Sequence, residues 1–562
     1  MSENNVSHLR IGFVLSGSTT STAKIQLTQE GEERVFEGML VVISSKRRKI
    51  EYLGRIDSIK PVNEFYREGD PWSEARKKGI PLDAIGDVGR SYVLSEVSLL
   101  GTLGNSGLRD VRYPPEPGDK VYMINDGEGY EKKIFGIERG ESGYIWYGNI
   151  IGYKQIALPL NIENITMHLG IFGVTGSGKS YGLGYLLELL SKIPYVLPDS
   201  STTYLALPTI VIDANGDYLD YHEHFLDSGL IGIGKFRNIY RMVFRKSKAL
   251  GRPFTKGITI DLDVFNTREL AEFIISYKTA GKEINELQVA GLELALKELE
   301  YDSFTNLFTE NFENLKYKLD ELSTGRDAPI HSSTRRAIAS ALEKFKSDVI
   351  ERDKLVTKSP QINVEFIEQI TKEPSLVIFD FSAEGAPGVS PLEKQLVIAY
   401  LSRLLYNKFT EYKNRGEDRY LLFIIEECQN YIPNTSNYPV HATLTRDYLS
   451  LIATQGRKFG ICLGLVSQRP AFVDPVVVSM LNTYIIHRVS PDDATYIRKI
   501  SGGLPKSLEN RLTTLERGKA IVVGQMNPLG YPVLVEVGRR SIEHKMGKTN
   551  VMDGLYTLFK SK

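Results

Sequence analysis

From His8 to about Gly152 the chain alternates apolar and polar residues in short runs, IGFVLSG, AKIQL, MLVVISS, SYVLSEV, KVYMIND and GYIWYGNIIGY, separated by Gly, Asn, Asp and Pro. A period of two is that of strands with one buried face, and the turn residues between the runs predict a small β-barrel. The stretch from Val62 to Gly89, with PWSEARKKGIPLDAIG, breaks the alternation and is expected as a loop or short helix. From Leu158 onward the pattern changes. LGIFGV, TIVIDA (209–214), GITIDL (257–262), SLVIFDF (375–381), YLLFIIEE (420–427), ICLGLVSQ (461–468) and TYIIHRV (483–489) are mostly continuous Val/Ile/Leu runs, as strands buried on both faces require. Between about 266 and 361 helical periodicity takes over in NTRELAEFIISYKTA, INELQVAGLELALKELE and SSTRRAIASALEKFK. The expected fold is α/β, with a mostly parallel sheet, a β-barrel before it and a helical subdomain inserted into it.

A chain of 562 residues has room for three or four units at about 150 residues each. Lys plus Arg and Asp plus Glu both total 69, so attraction to a polyanion must come from local patches. The two cysteines, Cys428 and Cys462, lie inside apolar runs, which argues against a disulfide framework and for a reducing compartment. The N-terminal MSENNVSHLR has no apolar signal core, and no run of about 18 apolar residues occurs. A cytoplasmic protein without a membrane partner is expected.

The chemistry begins at IFGVTGSGKSY, residues 171 to 181. Counting from Gly173 gives G-x-x-x-x-G-K-S between an apolar strand and the helical YGLGYLLELL, the setting of a phosphate loop. Gly173, Gly176 and Gly178 free the backbone around Thr175 and Ser177 to turn N–H groups inward. Lys179 supplies a mobile charge for the β- and γ-phosphates of ATP, Ser180 a hydroxyl for Mg2+, and the helix opening at Tyr181 a favourable dipole.

A second element is an acidic residue on a neighbouring strand. YLLFIIEECQNYIP ends its apolar run in Glu426 and Glu427, one carboxylate for the metal and one to orient or deprotonate water. Glu426 is the expected metal ligand and Glu427 the expected catalytic base, although spacing alone leaves open which of them activates water. Asp213 and Asp380 also end strands, as ligand groups or as caps. The third element is GRKFGICLGLVSQRP, in which Gln468 ends a strand and can sense the γ-phosphate or hold the water, while Arg457 and Lys458 precede that strand.

The phosphate loop, the acidic pair followed by NYIP, and GRKFG with SQRP together resemble the HerA branch of the HerA/FtsK ring ATPases. The resemblance covers nearly the whole chain. It implies a RecA-like P-loop core and an N-terminal barrel, with KAIVVGQMNPLGYPVLVEVGRR as a C-terminal strand and inter-subunit brace. The implied domains are a barrel over 1–155, the ATPase core over 156–265 and 362–526, the helical subdomain over 266–361 and the brace over 527–562. It further implies a homohexameric translocase of double-stranded DNA that drives a NurA-like nuclease in end resection and recombinational repair, with Arg457 reaching a neighbouring subunit's nucleotide. Lys458, Arg469 and Arg488 are rivals for that role. Where the family commonly has Ala-His after its acidic pair this chain has Cys428 and Gln429, and its D-x-x-G-E-Y element reads DANGDY, with Asp217 in place of the glutamate. The same motor in defence or DNA transfer beside another effector, or a ring that uses ATP only as an assembly switch, fits these residues too.

DNA contact must be argued from local charge. The segment from Lys235 to Lys256, KFRNIYRMVFRKSKALGRPFTK, has no Asp or Glu and interleaves Phe236, Tyr240, Phe244 and Phe254. It suits a phosphate backbone, with Arg245, Lys246 and Lys248 as the candidate contacts. NIYRMVF reads equally as a plain strand followed by a solvated basic loop, and KRRK at 46–49 is a shorter patch of the same kind.

Overall fold

The computed structural model describes residues 9–63, 66, 74, 77–79, 91–104, 107–124, 128–228, 234–278, 285–436, 444–543 and 552. Most of the Val62–Gly89 interruption, and all but one residue of the tail after 543, lie outside the described residues. The chain divides into two compact units, one of residues 1–162 and 484–538, the other of 163–483 and 539–562.

In the first unit an antiparallel sheet runs in the order Thr22–Leu27, Arg10–Val14, Lys120–Met123, Leu40–Ser45, Ile50–Asn63, Ser91–Gly104 and Gly107–Arg109. Thr22–Leu27 pairs again with Ser91–Gly104, which closes a barrel and leaves its six strands without a free edge. Ile11, Ile25, Val41, Ile43, Leu53, Ile56 and Val97 fill it. GYIWYGNIIGY, grouped with the barrel by its alternation, pairs elsewhere: Tyr144–Ile150 joins Ala157–Asn161 on one side and Val533–Val537 on the other. Val533–Val537 also pairs with Lys519–Gly524.

The second unit carries seven parallel strands in the order Thr255–Gly257, Asn238–Val243, Ser375–Asp380, Thr209–Asp213, Leu421–Ile425, Ile461–Ser467 and Leu169–Phe172. The central strands are wholly buried, as their unbroken apolar runs require. Helices Lys179–Leu190, Leu219–Ser228, Pro391–Asn414 and Leu444–Phe459 connect them. The Pro391–Asn414 helix opens on a capping box of Ser390 and Glu393 with Pro391 in its first turn. Helices Thr267–Lys278, Glu286–Glu298, Phe304–Thr309, Phe312–Glu321 and Ser332–Phe345 form the inserted helical region.

GITIDL, expected as a strand over 257–262, is not one. The strand stops at Gly257, Ile260 makes a single bridge to Val356, and Asp261 accepts the Asp263 N–H to cap a short 3-10 turn. A side chain that satisfies the local backbone competes with the sheet for it.

Candidate functional site

Three neighbouring strands bring the phosphate loop, the acidic pair and the glutamine together. Phe172 lies opposite Ser467, so Gly173 and Gln468 leave the sheet side by side, while Ile425 lies opposite Leu465 and delivers Glu426 and Glu427 to the same carboxyl edge. Ligands bind at this edge of an open α/β sheet.

The loop is preorganised for an anion. Gly176 and Gly178 take φ of 75° and 100°, the left-handed region that glycine enters at little cost. Gly178 is the N-cap of the Lys179–Leu190 helix and offers no side chain to it, so the first-turn N–H groups stay available to a ligand. The Ser177 hydroxyl is buried without a hydrogen-bond partner, Lys179 is buried, and Thr175 is exposed at the rim. Gly173 is buried at the strand exit, and Ser180 and Tyr181 are partly exposed in the helix's first turn.

A chain of polar contacts crosses the site. The Thr175 hydroxyl donates to Gln468 Oε1 at 2.5 Å, and Gln468 Nε2 donates to Glu427 Oε1 at 2.7 Å. Glu427 Oε1 lies 3.6 Å from Lys179 Nζ. Glu427 Oε2 accepts from Gln429 Nε2 at 2.6 Å, and Gln429 Oε1 accepts from the buried Ser467 hydroxyl at 2.7 Å. Glu427 itself has φ 48°, rare for a residue with a Cβ and costing about 1–2 kcal/mol. That backbone turn separates the fates of two adjacent glutamates.

Glu426 goes inward. It is 2% exposed, its Oε1 accepts from the Tyr218 hydroxyl at 2.6 Å, and its Oε2 is buried without a partner. Burial and the nearby Asp213 push its pKa well above the ordinary glutamate value, favouring the neutral acid. Glu426, the residue expected beside the metal, is thus buried on Tyr218, while Glu427 pairs with Lys179. Asp213 resolves as a cap: its carboxylate accepts the backbone N–H groups of Asn215, Gly216, Asp217 and Tyr218. Its pKa is raised to about 7 by burial, against the lowering effect of those N–H groups. Asp380 is fully buried and accepts two bonds from Arg241, at 3.1 and 2.6 Å.

Arg457 is not in this constellation. It is exposed in the last turn of the Leu444–Phe459 helix, before the amino end of strand Ile461–Ser467, whereas Gln468 follows the carboxyl end. Seven strand residues separate the two by roughly 20 Å along the strand. Arg245, Lys246 and Lys248 are exposed in the turn after strand Asn238–Val243, and Lys246 is ion-paired with Asp353 at 2.9 Å. The interleaved Phe236, Tyr240 and Phe244 are buried, and Arg241 with them, so most of those aromatic rings serve the core. KRRK is a turn whose Arg47 and Arg48 both pair with Glu116.

Tyr218, Gln429 and Ser467 were not expected at the site. Tyr218 ends DANGDY and Gln429 stands where the family commonly has histidine, so position was the available signal. Among the described residues no group of three or more His, Cys, Asp or Glu is poised to hold a metal. Mg2+ keeps several waters and is held largely by substrate phosphates, so its site needs few protein ligands, among which the Ser180 hydroxyl is one candidate.

A parallel α/β sheet with a phosphate loop, a strand-end glutamate on the loop lysine and a glutamine bridging the two defines a P-loop ATPase. Residues 145–405 match the family model described as the central domain of helicase HerA. It is 26% identical to the DNA double-strand break repair helicase HerA of Saccharolobus solfataricus, over 94% of this chain and 92% of the relative. The enzyme of the same name from Pyrococcus furiosus is 24% identical over 79% of this chain and 77% of its own. A solved structure of the plasmid coupling protein TrwB with ADP and Mg2+ is 14% identical, with a TM-score of 0.45 over 72% of this chain and 91% of that one.

Proposed function

We propose that the protein is an ATP-driven translocase of double-stranded DNA acting in break repair. The observation that supports the ATPase half is the Thr175–Gln468–Glu427–Lys179 chain, which joins a carboxylate and an amide to the phosphate loop. Glu427 orients and deprotonates the attacking water, Gln468 holds Glu427 and the water in register, and Lys179 moves from Glu427 to the phosphates when ATP binds. Ser180 would help to hold Mg2+ on the phosphates, where the ion would neutralise negative charge. Glu426 acts through position, holding Tyr218 and the DANGDY turn behind the loop. The DNA half rests on the repair helicases to which the chain is similar.

The active unit on this reading is a head-to-tail homohexamer. Arg457 cannot reach its own loop, and a guanidinium from a neighbour meets the charge developing on the γ-phosphate. A NurA-like nuclease is the partner that end resection calls for, and the cytoplasm the compartment. Among the described residues no helix is long and apolar enough to cross a membrane.

ATP turnover measured with and without duplex DNA tests the reading: strong stimulation is expected, and turnover indifferent to DNA refutes it. Mixing separately inactive Arg457→Ala and Lys179→Ala subunits should restore activity where intact halves meet. No recovery from two stably assembled variants refutes the trans role. Replacing Arg245 and Lys248 with Ser should flatten the salt dependence of the stimulation; an unchanged slope removes that turn from the DNA path.

A further inference from the structure

The helix that follows the phosphate loop is held by a segment from the far end of the chain. Tyr181, Gly184 and Glu188 lie three and four residues apart, on one face of Lys179–Leu190, and Arg540, Ser541 and Ile542 cover that face. The Arg540 N–H donates to the Tyr181 hydroxyl at 2.9 Å. Glu188 Oε2 accepts from the Ser541 N–H at 2.7 Å and from its hydroxyl. Glu188 Oε1 accepts from the Ile542 N–H at 3.2 Å and from the Tyr221 hydroxyl at 3.3 Å. Three of the four bonds to a buried helix carboxylate thus come from two successive C-terminal residues.

The Arg540 side chain is 1% exposed and lies inside this contact. Its guanidinium sits over the rings of Tyr221 and Tyr181, 4.7 and 5.8 Å from their centroids, with Nε 3.8 Å from Glu188 Oε1. Its three nitrogens make no hydrogen bond of good geometry, and the guanidinium is held electrostatically by the Tyr221 hydroxyl and the Glu188 carboxylate. The space it fills exists because residue 184 is glycine: a Cβ there would meet Arg540 Cζ and Nη1 at 2.8 Å and the Tyr221 hydroxyl at 2.9 Å. Alanine is the better helix former at an interior position, so the glycine at 184 serves the guanidinium rather than the helix.

We propose that Arg539–Ile542 is a clamp in cis on the phosphate-loop helix, with Arg540 a positioning residue that fixes the helix and so the direction of its first-turn N–H groups. The proposal rests on the ATP-binding reading above. Nucleotide then binds best when the clamp is docked, and by linkage bound nucleotide tightens the clamp.

The test uses the full chain and a fluorescent ATP analogue with Mg2+, below the onset of unfolding of each variant. Arg540→Met and Gly184→Ala should each weaken binding by about tenfold or more. A merely structural role would lower the melting temperature and leave the affinity of folded molecules at the parent value, and that result in both variants overturns the proposal. Hydrogen exchange on the parent decides the matter even if neither variant folds. Adding nucleotide should slow exchange over 179–190 and over 539–543 together; slowing in the helix alone overturns the linkage. Lys179→Ala separates the two readings: binding by the parent that this variant keeps, or no binding by the parent, sinks the ATP-site reading and the clamp with it.

Discussion

Gln468→Ala removes the middle of the contact chain and leaves both ends standing. The side chain gives Glu427 Oε1 a bond of 2.7 Å and takes one of 2.5 Å from Thr175. A hydrogen bond to a charged group contributes about 1.5–3 kcal/mol. If that interaction is felt in the transition state and not in binding, turnover falls by about tenfold to about 160-fold. Lys179 and the backbone nest are untouched, so ATP affinity should stay within about threefold of the parent, under 0.7 kcal/mol. Single-turnover hydrolysis and equilibrium binding, measured separately, give the two quantities. Parent turnover in a folded Gln468→Ala protein would refute the role, and an equal loss in binding and turnover would show that the glutamine holds the ground state instead.

The two charged ends of the chain should fail differently: Lys179→Ala loses nucleotide binding, whereas Glu427→Gln binds ATP and leaves it unhydrolysed, as filter binding followed by product analysis will report. Arg241→Met strands the fully buried Asp380 and should cost about 3–5 kcal/mol in the ATPase unit, read by calorimetry; a change under about 1 kcal/mol would return Arg241 to the surface patch. His168 is 2% exposed, accepts the Leu463 N–H at Nδ1 and lies 3.0 Å from the Ala453 carbonyl through Nε2. Burial lowers its pKa from 6.5 to about 4, so below pH 6.5 the unfolded chain takes up a proton that the native chain refuses, and stability falls with falling pH. Between pH 7.5 and 4.5 this amounts to about 2.5 kcal/mol, which His168→Asn, tolerant of the left-handed backbone at this position, should abolish in a comparison of denaturation midpoints.

Much of the site was legible because its chemistry demands fixed spacings. A phosphate nest needs glycine where the backbone turns left-handed, and strands that end together present their next residues together, which is why Gly176, Gly178, Glu427 and Gln468 could be named from sequence. The division of labour between Glu426 and Glu427 was not legible, since it depends on one φ angle. Gln429 read as a departure from the family until its bonds to Glu427 and Ser467 gave it a place. NIYRMVF could be read as a strand, but the burial of its Arg241 could not, since the partner Asp380 is 139 residues away. Ile50–Asn63 does not stand out by alternation because register shifts between Leu53 and Gly54 and between Ile56 and Ser58 break the period of two. Glu188 and Ser541 are 353 residues apart, and nothing local to either announces the other.

If ATP hydrolysis at this site moves the protein along duplex DNA, the protein should strip the third strand from a triplex in its path. Third-strand release should require ATP and Mg2+, be lost in Lys179→Ala and in Glu427→Gln, and slow as the triplex is placed farther from the loading end. ATP hydrolysis stimulated by DNA with no third strand released would contradict that movement.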